Sequence, residues 1–155
     1  MVKSENHLRK KFDTFEDLEV YKAARSFRKK MYALARTLPD FEKYGLCSQM
    51  RRAAVSLTNN IAEGHRRYHY VDHIRFLLQA RGLLQELVDD LNVCEDEDYM
   101  PVVRVAELKQ QGWDVLKLLN GYLRYSRDAQ PGKSLALHED TIPYRIEIAE
   151  DAPFN

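Results

Sequence analysis

The chain has 155 residues, 45% of them hydrophobic, which is enough for one domain with a buried core but not for two. No apolar run approaches the roughly 18 residues that a membrane span needs, and the N-terminal segment lacks the apolar stretch of a secretory signal. We therefore predict a cytoplasmic protein without membrane contact. Cys47 and Cys94 could pair, but without an export signal we expect both to stay reduced and to act as small hydrophobic residues.

The formal net charge of zero conceals a division along the chain. Residues 1–81 contain 17 lysines and arginines against 9 aspartates and glutamates, a net charge of +8. Residues 82–155 contain 7 against 15, a net charge of −8. Three interpretations are open: solvated helix faces, an electropositive surface for nucleic acid, or helices that attract one another across an interface.

The first predicted helix runs from about residue 15 to residue 38. Thr14 and Asp17 have the spacing of a capping box, and Pro39 ends the helix because proline disfavours helical geometry in the residue before it. The apolar stripe consists of Leu18, Tyr21, Ala24, Phe27, Met31, Leu34 and Leu38.

The second helix is predicted to follow Gly45 and to end near Gly64, which suits a left-handed helix end. Spacings of three and four residues give it two separate stripes, which indicates a helix that packs on more than one side and favours assembly over chemistry. The apolar stripe is Met50, Ala53, Leu57 and Ile61; the polar stripe is Gln49, Arg52, Ser56, Asn59 and Glu63.

The third helix is predicted over residues 70–94, with a broad apolar arc that includes Ile74, Leu77, Leu84 and Leu87. An acidic connector, residues 95–98, leads to Pro101 and a fourth helix over residues 102–125. Gly112 interrupts this helix and either allows a close approach or weakens it slightly.

Helices of about twenty residues with short connectors predict an all-α, up-down-up-down antiparallel four-helix bundle over residues 14–127. Beyond it, residues 128–155 lose the periodicity and include Pro131, Pro143 and Pro153. We expect a poorly ordered C-terminal tail, although its spaced Leu137, Ile142 and Ile146 could dock on a partner.

Neither a metal centre nor a catalytic site is predicted. The Glu-x-x-His pairs of di-metal bundles are missing from the sequence, as are a phosphate-binding glycine loop and a Cys-x-x-Cys motif. His65, His69 and His73 are spaced by four residues, but we expect the first two in a connector, which would break a common zinc-binding face. The sequence thus predicts no enzyme and no cofactor.

A basic and aromatic cluster gives the better functional signal. Lysine and arginine contact phosphates through charge, and tyrosines such as Tyr68 and Tyr70 can stack on bases. The predicted nucleic-acid contacts are Arg51, Arg52, Arg66, Arg67, Lys29 and Arg75.

The second helix also supports a family resemblance. Its residues follow the pattern Ser48-Gln49-x-Arg51-Arg52-Ala53-Ala54-x-Ser56-x-x-x-Asn60-Ile61-Ala62-Glu63-Gly64, and Tyr44-Gly45-Leu46 precedes it. This pattern resembles that of the bacterial four-helix-bundle family encoded in intervening sequences of 23S ribosomal RNA genes. That family is similar to the accessory variability determinant of diversity-generating retroelements. The resemblance covers about residues 14–125.

The resemblance implies a ring-like homopentamer in which each subunit contacts two neighbours. The interface residues that we predict on this basis are Gln49, Arg52, Ser56, Asn60 and Glu63. The leading functional hypothesis is a non-enzymatic oligomeric bundle that binds RNA or DNA through its basic surface. The alternative is a protein-interaction scaffold or accessory subunit whose tail or ring face docks a protein partner.

Overall fold

The computed structural model describes residues 14–129, and the predicted tail lies almost entirely outside this range. Four α-helices follow one another: α1 (Glu19–Ala35), α2 (Leu46–Arg66), α3 (Tyr70–Asp96) and α4 (Val102–Asp128). Short 3-10 turns lie at Phe15–Asp17 and Asp40–Glu42, and residues 14–129 contain no strand. The predicted all-α fold is therefore confirmed.

Each helix packs against two neighbours, as in an up-down-up-down bundle. Helix α2 packs along α1 and α3, and α4 packs along α3 and α1, whereas the backbones of the two diagonal pairs stay apart. Short connectors impose this arrangement because they leave consecutive helices antiparallel and adjacent. The α2–α3 connector therefore lies at the same end of the bundle as the start of α1 and the end of α4. We call this end the turn end.

The predicted first helix is divided into two elements. Thr14 and Asp17 form the expected capping box, with Thr14 Oγ1 accepting from the Glu16 N–H at 3.1 Å and Asp17 Oδ2 from the Thr14 N–H at 3.2 Å. This box caps the 3-10 turn and not α1, because Leu18 has extended backbone angles. Helix α1 therefore starts at Glu19, and the turn positions Phe15 beside α2.

The predicted helix end at Gly64 is wrong. Helix α2 continues to Arg66, and Gly64 is buried inside it without a positive φ. A Cβ atom at Gly64 would lie 3.2 Å from Phe76 Cβ and 3.3 Å from the His73 carbonyl oxygen. The glycine is required here because it lets α2 and α3 approach closely.

Gly112 has the same role in α4. From the sequence, this glycine could either allow a close approach between helices or weaken α4 slightly. A Cβ atom there would lie 3.2 Å from Val88 Cγ2 and 3.3 Å from Phe27 Cζ. The position thus joins α4 to both α3 and α1.

The core contains the apolar stripes predicted from helical periodicity. All four members of the α2 stripe are 2% exposed or less, and both cysteines are buried free thiols. Polar contacts join the helices around this core. Arg28 Nη1 donates to Thr58 Oγ1 at 2.7 Å between α1 and α2, and Glu42 accepts from both the Leu46 N–H and the Tyr99 hydroxyl.

Among residues 14–129, no helix combines the length and apolar character that crossing a membrane requires. The cytoplasmic location stays a prediction.

Candidate functional site

The charge division along the sequence becomes a division between two helix pairs. Helices α1 and α2 with the connector between them, residues 19–67, contain eleven lysines and arginines but four aspartates and glutamates. Residues 68–129 contain seven against eleven. In the described part of the chain, none of the ion pairs joins one half to the other. The positive charge of α1 and α2 is therefore not neutralised by the acidic half of the same chain.

The structure separates the predicted nucleic-acid contacts into two groups. Arg52, Arg66 and Lys29 are exposed and have no ion-pair partner within residues 14–129, and Arg51 is half-buried and also without one. The other two predicted contacts, Arg67 and Arg75, are already paired. Arg67 Nη2 lies 2.6 Å from Glu63 Oε1, and Arg75 Nη1 lies 3.9 Å from Asp72 Oδ1.

Arg52, Asn59 and Arg66 follow one line along the exposed side of α2. Their spacing of seven residues is almost two helical turns, so all three side chains leave the same face. Arg52 and Arg66 are separated by fourteen residues, or about 21 Å along the helix axis. This line gives two free guanidinium groups on a surface long enough for several nucleotides.

A groove of about 430 Å³ lies on this face at the turn end. Helix α2 contributes residues of its C-terminal part, the 3-10 turn contributes one aromatic ring and α3 contributes another. The groove is lined by Phe15, Asn59, Asn60, Ala62, Glu63, Arg66 and Phe76. From sequence periodicity alone this groove could not be found, because its residues come from three elements.

Arg67 is held against one edge of this groove. Its guanidinium carbon lies 4.8 Å from the centre of the Phe76 ring, within the range of a cation–π contact, and Glu63 pairs with the same guanidinium. Arg67 is therefore engaged by Glu63 and Phe76 beside the groove and is not a free phosphate ligand.

A hydrogen-bonded histidine cluster joins three helices at the turn end. His73 Nδ1 lies 2.6 Å from the Gly64 carbonyl oxygen, to which it must donate, and Nε2 is hydrogen-bonded to Ser126 Oγ at 2.7 Å. His65 Nδ1 lies 3.2 Å from the Tyr122 hydroxyl, and the Tyr122 ring packs edge-on against His73. Because both nitrogens of His73 are used, the cluster ties α2, α3 and α4 together.

The histidine positions correct one prediction. His65 lies inside α2 and not in a connector, and His69 precedes α3 as its N-cap residue. Within the described residues, no group of three or more histidine, cysteine, aspartate or glutamate side chains is placed to hold a metal ion. Burial, followed by the charge of His73, lowers the pKa of His65, and burial raises the pKa of Tyr122 to about 12. Both shifts favour the neutral side chains of the cluster.

Asp90 is a second group that the sequence did not reveal. It is 6% exposed, and its Oδ2 atom is buried without a hydrogen-bond partner. Burial, together with the nearby carboxylates of Glu86 and Asp89, raises its pKa to about 6. Burial also raises the pKa of Cys94 to about 11, with Asp90 the next largest cause. Because the pKa of Cys94 is this high, the side chain is a thiol at neutral pH and not a reactive thiolate.

The predicted interface residues lie on the outward side of α2. Gln49 and Arg52 are exposed, and Ser56 is half-buried. Asn60 Nδ2 donates to the Ser56 carbonyl oxygen at 2.8 Å, while Glu63 pairs with Arg67. Asn60 and Glu63 also line the groove, so any contact between copies on this face would cover it.

Comparison with known proteins gives a family. The model of the family described as 23S rRNA-intervening sequence protein matches residues 16–121, which includes nearly all of the bundle. A search of curated proteins gave no match. The predicted similarity to the retroelement accessory protein is not tested by this match.

Proposed function

Starting from membership of the 23S rRNA-intervening sequence protein family, to which this chain belongs, we propose that the protein binds RNA or DNA and catalyses no reaction. The binding surface is the exposed side of α1 and α2, with Arg52, Arg66 and Lys29 as phosphate contacts. Arg51 contributes from its half-buried position next to Arg52. A positive surface attracts the phosphate backbone irrespective of sequence.

The observation that carries this proposal is the uncompensated charge of α1 and α2. Residues 19–67 contain eleven basic and four acidic residues. None of the ion pairs among residues 14–129 joins these basic residues to the acidic half of the chain. Most of these side chains are exposed, and they can displace the counterions of a nucleic acid when they contact its phosphates. The surface therefore suits a polyanion better than it suits a neutral ligand.

Single strands suit the turn end better than a duplex does. The groove presents Phe15 and Phe76, and Tyr68 in the α2–α3 connector is 95% exposed. Aromatic rings stack on unpaired bases with little sequence preference, whereas the bases of a duplex are already stacked. We expect non-specific binding of single-stranded RNA or DNA with a strong salt dependence.

The test is fluorescence anisotropy of a labelled single-stranded RNA with the full-length protein across a salt series. The logarithm of the association constant should fall linearly with the logarithm of the salt concentration. A duplex of the same sequence should bind more weakly. Absence of binding at low salt, or an affinity that does not change with salt, would reject the proposal.

Self-association is a competing proposal for the same face, and the resemblance implies a pentamer. The outward side of α2 has small side chains at Ser56 and Ala62, which let another helix approach closely, and Arg52 and Glu63 offer charges of opposite sign. Substituting Arg52 or Glu63 by alanine should then lower the mass measured by light scattering. A mass that stays unchanged in both variants would remove these residues from an interface.

A protein partner is the second functional candidate, because four large apolar side chains are exposed at the end of the bundle opposite the turn end. Phe41 and Tyr44 precede α2, Val102 and Val103 begin α4, and all four are more than 60% exposed. An exposed apolar patch of this kind is typical of a protein contact. If a partner binds here, Phe41→Ser should abolish its recovery while nucleic-acid affinity stays unchanged. The predicted docking role of the tail lies outside the described residues.

A further inference from the structure

The groove at the turn end has two aromatic rings that reach it from opposite neighbours of α2. Phe15 belongs to the 3-10 turn that leads into α1, and Phe76 belongs to α3. The two rings come from the elements on the two sides of α2, because α1 and α3 flank it, and Ala62 of α2 also lines the groove. The volume of about 430 Å³ lies in the range of small-ligand sites.

We propose that this groove binds one nucleotide unit of a single strand, with its base against Phe15 and Phe76 and its phosphate at Arg66. The inference rests on the proposed function and deepens it by assigning a base subsite. The rest of the strand then follows α2 from Arg66 toward Arg52.

The aromatic part of the groove is already ordered. Arg67 is fixed by Glu63 and lies 4.8 Å from the Phe76 ring centre, so Phe76 and the guanidinium form one supported surface. Phe15 packs edge-on against Tyr21 with ring centres 4.8 Å apart. Rings that are held in place lose little conformational entropy when a base stacks on them.

The polar groups of the groove match the remaining parts of a nucleotide. Asn60 uses its amide nitrogen on the Ser56 carbonyl, which leaves its oxygen free to accept from a base edge. Asn59 is exposed and can both donate and accept. Arg66 has no ion-pair partner among residues 14–129 and is a good ligand for a phosphate.

Other ligand classes fit this combination less well. An inorganic anion would use Arg66 but neither of the two aromatic rings. A basic peptide would be repelled by Arg66, and an apolar peptide would remove the asparagine amides from water without replacing their hydrogen bonds. A base with its phosphate uses the rings, the amides and the guanidinium together.

The test measures binding of an eight-nucleotide single strand that contains 2-aminopurine, whose fluorescence changes on stacking. Phe15→Leu and Phe76→Leu keep apolar side chains but remove the rings. Each should weaken binding by about 5- to 150-fold with an unchanged salt slope, since a stacked base has no net charge. The matched control is Phe41→Leu, at the opposite end, which should leave affinity unchanged.

A further variant keeps the inference testable if either leucine variant loses its helical circular dichroism. Asn59→Asp changes only an exposed side chain and should weaken binding about tenfold by placing a carboxylate beside the bound phosphate. Gln85→Glu, at an exposed position of α3, is its control and should have little effect.

The outcomes separate the base subsite from the proposed function. If the wild-type protein binds the strand with salt dependence but neither Phe15→Leu nor Phe76→Leu weakens it, the base subsite is wrong and the proposed function stands. If the wild-type protein binds no strand, the proposed function itself is wrong. If the leucine variants change the mass in light scattering and not the affinity, the groove is a contact between copies of the chain.

Discussion

Replacing Asp90 by asparagine should favour the folded bundle more at neutral pH than in acid. Asp90 is 6% exposed, and its pKa rises from 3.8 to about 6 because burial and two neighbouring carboxylates disfavour its charge. An acid whose pKa is raised by folding binds more protons in the folded state. The free energy of unfolding therefore falls as the pH rises from about 4 through 6. Asparagine has nearly the same shape and removes this titration.

The magnitude follows from the size of the shift. A rise of about two pKa units corresponds to about 3 kcal/mol between the neutral and ionised forms. The effect of Asp90→Asn on unfolding free energy should thus be about 3 kcal/mol more favourable at pH 8 than at pH 3. The comparison uses the change in unfolding free energy caused by the substitution at two pH values. A cost of burying the new amide group is the same at both pH values and therefore cancels.

Urea denaturation of the wild-type and variant proteins at five pH values between 3 and 8 measures this difference. Asp96→Asn, which removes an exposed carboxylate from the same helix, is the control and should change stability by less than about 0.5 kcal/mol at every pH. Parallel pH curves for wild type and Asp90→Asn would refute the argument, because they would show that Asp90 is ionised without penalty.

Two further predictions concern the turn end. Gly64→Ala should destabilise the bundle by about 1–3 kcal/mol, because the new methyl group would lie 3.2 Å from Phe76 Cβ. Gly82→Ala, on an exposed part of α3 with open space around it, should instead stabilise by up to about 1 kcal/mol, and thermal unfolding compares the two. His65 has a lowered pKa, so its contribution should be complete above pH 6.5 and should decrease as the pH falls below that value. His65→Gln should reduce the loss of unfolding free energy as the pH falls below 6.5. An equally steep loss in the variant would show that groups other than His65 cause it.

The sequence was sufficient for the fold because the bundle follows from local rules. Apolar residues at helical spacing, such as Met50, Leu57 and Ile61 in α2, can be buried only on one face, and short connectors then fix the antiparallel order. Pro101 also predicted the start of α4 correctly, because a proline at the N-terminus of a helix lacks only an N–H group that would have no partner within the helix.

The errors occurred where tertiary contacts override local preference. The flexibility of Gly64 predicts a helix end. In the structure, the glycine instead lies inside α2, where the absence of a side chain lets α3 pack closely. Only the folded chain brings His73 to Ser126, 53 residues away, and Phe15 to Phe76 around one groove. Among the predicted basic contacts, Arg67 and Arg75 form ion pairs with acidic neighbours. A count of charges along the sequence does not show which residues pair.

The central claim is that phosphates bind to the exposed arginines of α2, and a comparison of salt slopes tests it most directly. Arg52→Gln with Arg66→Gln removes two charges from this face, while Arg104→Gln with Lys117→Gln removes two exposed charges from α4. If Arg52 and Arg66 each contact one phosphate of a single-stranded RNA, only the first pair should reduce the slope, by about 1.4. Equal slopes for both double variants would contradict the account, because the effect would then depend on net charge and not on the surface of α2.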